Sequence, residues 1–196
     1  MSKIHNLIKN LLKSVEGSER SFYSDNLNEI LKYSGKKRPK AIYAAAFLDE
    51  SSREDLYNWW KMHVKEDMLD RVPKHSHMTI KFKPSQEEII SIPIGESDAK
   101  TVKVVGFASD DLGQAVLVKP SDDSFGRIDG GRAHITISAS EDAPMGFAYS
   151  NTLLEEGFEE VSGPELNVKV GLFMSNGEIE YDISNTRYSE EEITVD

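Results

Sequence analysis

Hydrophobic residues fall three and four apart in the opening stretch IHNLIKNLLKSV, where Ile4, Leu7, Ile8, Leu11, Leu12 and Val15 form one stripe and Lys3, Lys9 and Lys13 lie off it. That spacing predicts an amphipathic helix with Gly17 as its stop. SDNLNEILKY repeats the period more briefly, with Ser24 or Asp25 as cap and Leu27, Ile30 and Leu31 as the buried stripe. SGKKRPK then breaks it. Residues 1–38 are therefore expected to form a helical appendage whose apolar stripe offers a surface for a homo-oligomer.

From AIYAAAFLD onward the period changes to two, which is the signature of half-buried strands. Strands are expected at 76–83, 89–94, 101–108, 114–119, 133–139, 166–174 and 177–183, in addition to the run that holds Ile42, Tyr43, Ala45 and Phe47. SSREDLYNWWKMHVKED returns to the helical period, capped by Ser51 or Ser52, with Leu56, Trp59 and Trp60 facing inward. A further helix is expected from about Ser150 to Gly157, and SNGE predicts a hairpin near the C-terminal end. Residues 184–196 are acidic and poor in apolar side chains, so a flexible tail is expected there.

A weak repeat underlies these elements. IYAAAFL precedes HSHMTIKF as QAVLVKP precedes GRAHITIS, so each histidine-bearing strand has an apolar companion earlier in the chain. The pattern suggests two related lobes, about 40–100 and 101–183, with the histidine strands facing each other across a cleft.

Composition narrows the function more than the fold. The chain of 196 residues carries a formal net charge of −11. From Glu141 onward there are fourteen acidic side chains against two basic ones. Gripping an extended duplex needs a basic face that neutralises many phosphates, so a small anionic ligand or a single RNA end suits the chain better. The absence of cysteine excludes disulfides and thiolate metal sites. No run approaches the roughly 18 to 20 apolar residues that span a bilayer, nor is there a signal-peptide pattern, so a cytoplasmic protein without a membrane partner is expected.

The candidate chemistry sits in HMTI (His77 to Ile80) and HITI (His134 to Ile137), which hold two of the five histidines. On a strand, alternate side chains share a face, so His77 lies beside Thr79 and His134 beside Thr136, with aliphatic residues behind them. If the strands meet, two imidazoles and two hydroxyls surround one small space. One neutral histidine can then take a proton from an attacking oxygen while a protonated one gives a proton to the leaving oxygen. The threonines would hold non-bridging phosphoryl oxygens. Neither a metal nor another cofactor is required.

These paired His-x-Thr-apolar strings resemble those of the 2H phosphoesterase superfamily, over about residues 40–182. Within it the chain is similar to small phage-type members, including anti-CBASS phosphodiesterases that destroy cyclic oligonucleotide signals, and to the cyclic phosphodiesterase domain of fungal tRNA ligases. The resemblance implies an α+β, bilobal fold in which two antiparallel sheets line a central groove with helices outside, spanning residues 39–183. It implies catalytic roles for His77, Thr79, His134 and Thr136, and metal-independent cleavage of a cyclic nucleotide, a cyclic oligonucleotide or a 2′,3′-cyclic RNA end. A phage-encoded member would act in host cytoplasm. By position, Tyr43 matches an aromatic that stacks on a base, and Ser150 and Asn151 match a Ser-Asn pair after the second motif.

Three further groups have both a functional and a plain reading. His75 is a ligand contact or a rim residue. Lys119 ends a strand. Arg127 and Arg132, in SFGRIDGGR, reach a phosphate or belong to a surface turn. The competing functions are a nucleotide-binding sponge without turnover, a three-histidine metallohydrolase built on HSH and His134, and a structural domain in which the repeat is coincidence.

Overall fold

The computed structural model describes residues 39–183; the two expected N-terminal helices and the expected tail lie outside them. Strand β1 (Ala41–Leu48) leads into helix α1 (Glu50–His63), followed by β2 (His77–Phe82) and helix α2 (Gln86–Ser91). Then come β3 (Lys100–Ser109), β4 (Gly113–Pro120), β5 (His134–Ala139), helix α3 (Tyr149–Glu156), β6 (Glu159–Glu160), β7 (Glu165–Met174) and β8 (Ile179–Glu180).

The strands do not form two lobes. They run in the order β6-β3-β4-β5-β2-β1-β7-β8, and β3 also pairs with β7. That extra pairing, Lys100↔Val168 through Lys103↔Glu165, closes six antiparallel strands into one barrel. The expected bilobal two-sheet groove fold is therefore corrected to a closed six-stranded β-barrel with few helices. The physical reason is that period-2 alternation states which residues face inward, and not whether those faces meet across two sheets or around one ring. Here they meet around one ring: Ala44, Ala46, Met78, Ile80, Val102, Val104, Val116, Val118, Ile135, Ile137, Leu166, Val168, Val170 and Leu172 share a single core.

Helix α1 adds Leu56, Trp59 and Trp60 to that core. Its N-cap is Asp49, whose carboxylate accepts from the Ser52 amide at 2.7 Å, rather than either expected serine. The Ser52 hydroxyl instead accepts from the Asn167 amide at 2.8 Å, tying α1 to β7. Residues 89–94, read as a strand, begin in α2. Ser85 and Glu88 form a capping box there, a Ser-x-x-Glu signal legible in the sequence that the apolar run IISIPI concealed. The C-terminal hairpin is present, turned at Gly177 with φ +84°, although β8 is only two residues long. Among the described residues, no helix is long and apolar enough to cross a membrane.

The internal repeat has a structural counterpart. β1 pairs with β2 and β4 with β5, while β2 meets β5 in the middle, which relates the two strand pairs by a local two-fold. The central seam is thin: Met78↔Ile135 is its one register pair.

Candidate functional site

The seam sets the site. Continuing the Met78↔Ile135 register by one residue each way puts His77 across from Thr136 and Thr79 across from His134. Met78, Ile80, Ile135 and Ile137 point into the barrel, so the four polar side chains share its outer face. The imidazoles occupy one diagonal of this square, a separation of about 7 Å between backbone positions. Both rings lie on the same face of the seam. They are near enough that a charge on His77 disfavours a proton on His134.

The flanking strands repeat the two-fold in their choice of residue. On β1, Phe47 lies opposite His77 and Ala45 opposite Thr79; on β4, Leu117 lies opposite His134 and Ala115 opposite Thr136. A large apolar residue thus borders each imidazole and an alanine borders each threonine. The small positions let covering elements approach. Ala115 packs with Tyr149, Leu153 and Leu154 under α3, while Gly171, opposite Ala45, sits so close to the Tyr181 ring that a Cβ would lie 2.7 Å from it. Helix α3 thus packs beside the second His-x-Thr strand and Tyr181 on the far side of β1.

Both histidines are held in the same tautomer. The His75 carbonyl accepts from His77 Nδ1 at 2.8 Å, and the Arg132 carbonyl accepts from His134 Nδ1 at 2.9 Å. A carbonyl cannot donate, so Nδ1 carries the proton in each ring and Nε2 is left for chemistry. Among the described residues neither Nε2 is paired, and neither is a sealed, unsatisfied atom. Burial pushes both imidazoles below the ordinary histidine value, offset in each case by the carbonyl bond.

The other predicted residues separate clearly. Ser150, nearly buried, shares a hydrogen bond of 2.9 Å with Thr136. Asn151 Oδ1 accepts from Arg127 Nη1 at 2.8 Å. The Ser-Asn pair therefore joins the site through side chains, and the helix it opens has no side-chain cap at its first residue. Arg127 also forms a two-pronged bridge to Asp129, at 2.5 and 3.1 Å. Tyr43 is stacked between His77 and Phe173, with centroids at 4.8 and 5.0 Å, so its ring faces are taken up in supporting His77. Burial raises its hydroxyl to about 12.

His75 precedes β2 and contributes its carbonyl, its own ring lying 6.3 Å from Phe173. Arg132 likewise contributes its carbonyl, while its guanidinium turns to the Phe158 ring at 5.0 Å. Lys119 is exposed at the far end of β4, opposite Lys103, outside this network. Sequence reasoning passed over Asp129, Phe47 and Phe173. Only Asp129 carried a readable signal, an acid two residues from an arginine in a glycine-rich turn. The described residues bring together no group of three histidines or carboxylates that could hold a metal ion.

No family model matches the chain, and no curated protein matches it. Among solved structures it is similar to a crystal structure of a fungal RNA kinase, at 14% sequence identity and a TM-score of 0.45, covering 85% of this chain and 56% of that one. The chain thus spans little more than half the length of that protein. A likeness of this degree carries no argument about activity, and the resemblance to 2H phosphoesterases rests on the two His-x-Thr-Ile strings and their surroundings.

Proposed function

We propose that this protein is a phosphodiesterase that opens a cyclic phosphate by paired-histidine acid/base catalysis, acting on a cyclic nucleotide or cyclic oligonucleotide. The observation that carries this reading is the square of His77, Thr136, His134 and Thr79 on one barrel face, with both Nδ1 atoms tied back to carbonyls. Water attacks phosphorus while one Nε2 accepts its proton; the opposite P–O bond breaks and the leaving oxygen takes a proton from the other Nε2. In this reading the hydroxyls of Thr79 and Thr136 donate to the non-bridging oxygens, where negative charge sits. Ser150 fixes the Thr136 hydroxyl by their shared bond. A zinc mechanism would need three protein ligands around one point, and the described residues assemble no such cluster.

The net charge of −11 favours a compact anion over a long polyanion. The direct experiment is incubation of purified protein with 2′,3′-cyclic mononucleotides, cyclic dinucleotides, cyclic trinucleotides and RNA bearing a cyclic end, with products separated by chromatography. Ring-opening of a cyclic nucleotide or oligonucleotide in excess chelator supports the proposal. Cleavage of the RNA end alone reassigns the substrate to RNA repair. Ligand recovered intact from a tight complex indicates a sponge, and activity that the chelator abolishes indicates a metallohydrolase.

A further inference from the structure

The two imidazoles share a tautomer but not their neighbours. His77 lies against the face of Tyr43 at 4.8 Å and near Phe47 at 5.6 Å, with His75 as its titratable neighbour, which disfavours a proton on His77 only when it is itself protonated. An aromatic face attracts a cation. His134 instead has Arg127 Nη1 at 3.4 Å from its Nδ1. Both atoms are donors there, so the contact is not a hydrogen bond; both point at the Arg132 carbonyl, which accepts from Arg127 Nη1 at 3.1 Å and from His134 Nδ1 at 2.9 Å. A fixed guanidinium thus shares an acceptor with the ring. Adding a proton at Nε2 would set two like charges side by side.

Arg127 is not free to leave. Asp129 holds it by two prongs and Asn151 by a third bond. Gly131 lies against its head so closely that a Cβ would come within 2.6 Å of the guanidinium carbon. This explains the glycine of the turn. The charged groups facing His134 are Arg127 and Asp129 from its own loop and His77 from β2. Around them α3 supplies neutral Asn151, β4 supplies Leu117, and the Arg132 guanidinium turns away to Phe158.

We propose that Arg127, clamped by Asp129 and Asn151, is a positioning residue that keeps His134 as the proton acceptor of the pair and leaves His77 as the donor. The inference rests on the paired-histidine reading above and gives it a direction. Water loses its proton to His134 Nε2 as its oxygen bonds to phosphorus. The leaving oxygen departs with its electron pair and takes the proton of His77 Nε2. Solvent then returns the proton to His77 and removes the one on His134.

The test uses the full chain and two readouts. Nitrogen-15 NMR follows the tautomer and titration of His77 and His134 in wild type, Arg127→Gln, Arg127→Lys and Gly131→Ala. The pH profile of kcat/KM is measured on whichever panel compound is cleaved. In Arg127→Gln the midpoint of His134 should rise by about one unit, and the acid limb of the profile should move with it while the alkaline limb stays. Arg127→Lys, which keeps the charge and loses the fork, should return the limb part of the way. Gly131→Ala displaces the head without removing a charge, and should shift His134 in the same direction as Arg127→Gln. Movement of the alkaline limb instead, or an unmoved His134 titration, overturns the assignment. If no compound is cleaved the proposed function fails by itself, and the NMR titration still decides whether Arg127 governs His134.

Discussion

At the scale of single residues, the site depends on two rings that folding makes less basic. Burial is the leading cause for both His77 and His134. Substitution of either by alanine is expected to lower turnover by at least about two orders of magnitude, as the loss of a positioned acid or base does; near-normal turnover from His134→Ala would remove it from the mechanism. The same burial links stability to pH. An unfolded chain titrates histidine near 6.5 and binds protons that the folded chain refuses, so this contribution is intact above that pH and is lost as pH falls below it. Urea midpoints should therefore drop between about pH 7.5 and about pH 5.5 more steeply in wild type than in a His77→Asn/His134→Asn double variant. Equal slopes would show that the rings are not desolvated in the folded state.

At the scale of elements, small residues let the elements around the site pack closely. Ala115 lets α3 lie close enough for Ser150 to reach Thr136, and Gly113 does the same beside Tyr149, whose ring would lie 2.7 Å from an added Cβ. Ala115→Leu is expected to destabilise the protein by about 1–3 kcal/mol through overpacking and to weaken turnover further by lifting Ser150 away from Thr136. Denaturant titration reads the first effect, and the second should appear in kcat/KM at temperatures where the variant is fully folded. An unchanged midpoint would mean that α3 is not seated on this alanine. The repeated Ala-x-large spacing, Ala45-x-Phe47 and Ala115-x-Leu117, was on view in the sequence as similarity between two apolar strands. Its meaning was not, because each residue acquires its role only from the strand beside it.

At the scale of the whole molecule, six strands close into a barrel, and the seam between β2 and β5 holds fewer pairings than its neighbours. Amides of β2 and β5 that point into the seam should exchange with deuterium sooner than those bonded to β1 and β4, since local opening costs least where the ladder is thinnest. Uniform protection across both strands would contradict a weak seam.

Sequence alone determined which residues face inward, that His77 shares a face with Thr79 and His134 with Thr136, and that two strand pairs echo one another. Each of these follows from local periodicity, which the backbone imposes whatever the fold. Tertiary structure decided that the sheet closes, since the β3–β7 pairing joins segments far apart in the chain and leaves no mark in either one's alternation. It also decided that the guanidinium of Arg127, rather than that of Arg132, lies beside a histidine, and that Asp129 and Asn151 fix it there. Those choices depend on where a loop and a helix land in space, and the alternation of apolar and polar residues along a strand carries no record of that.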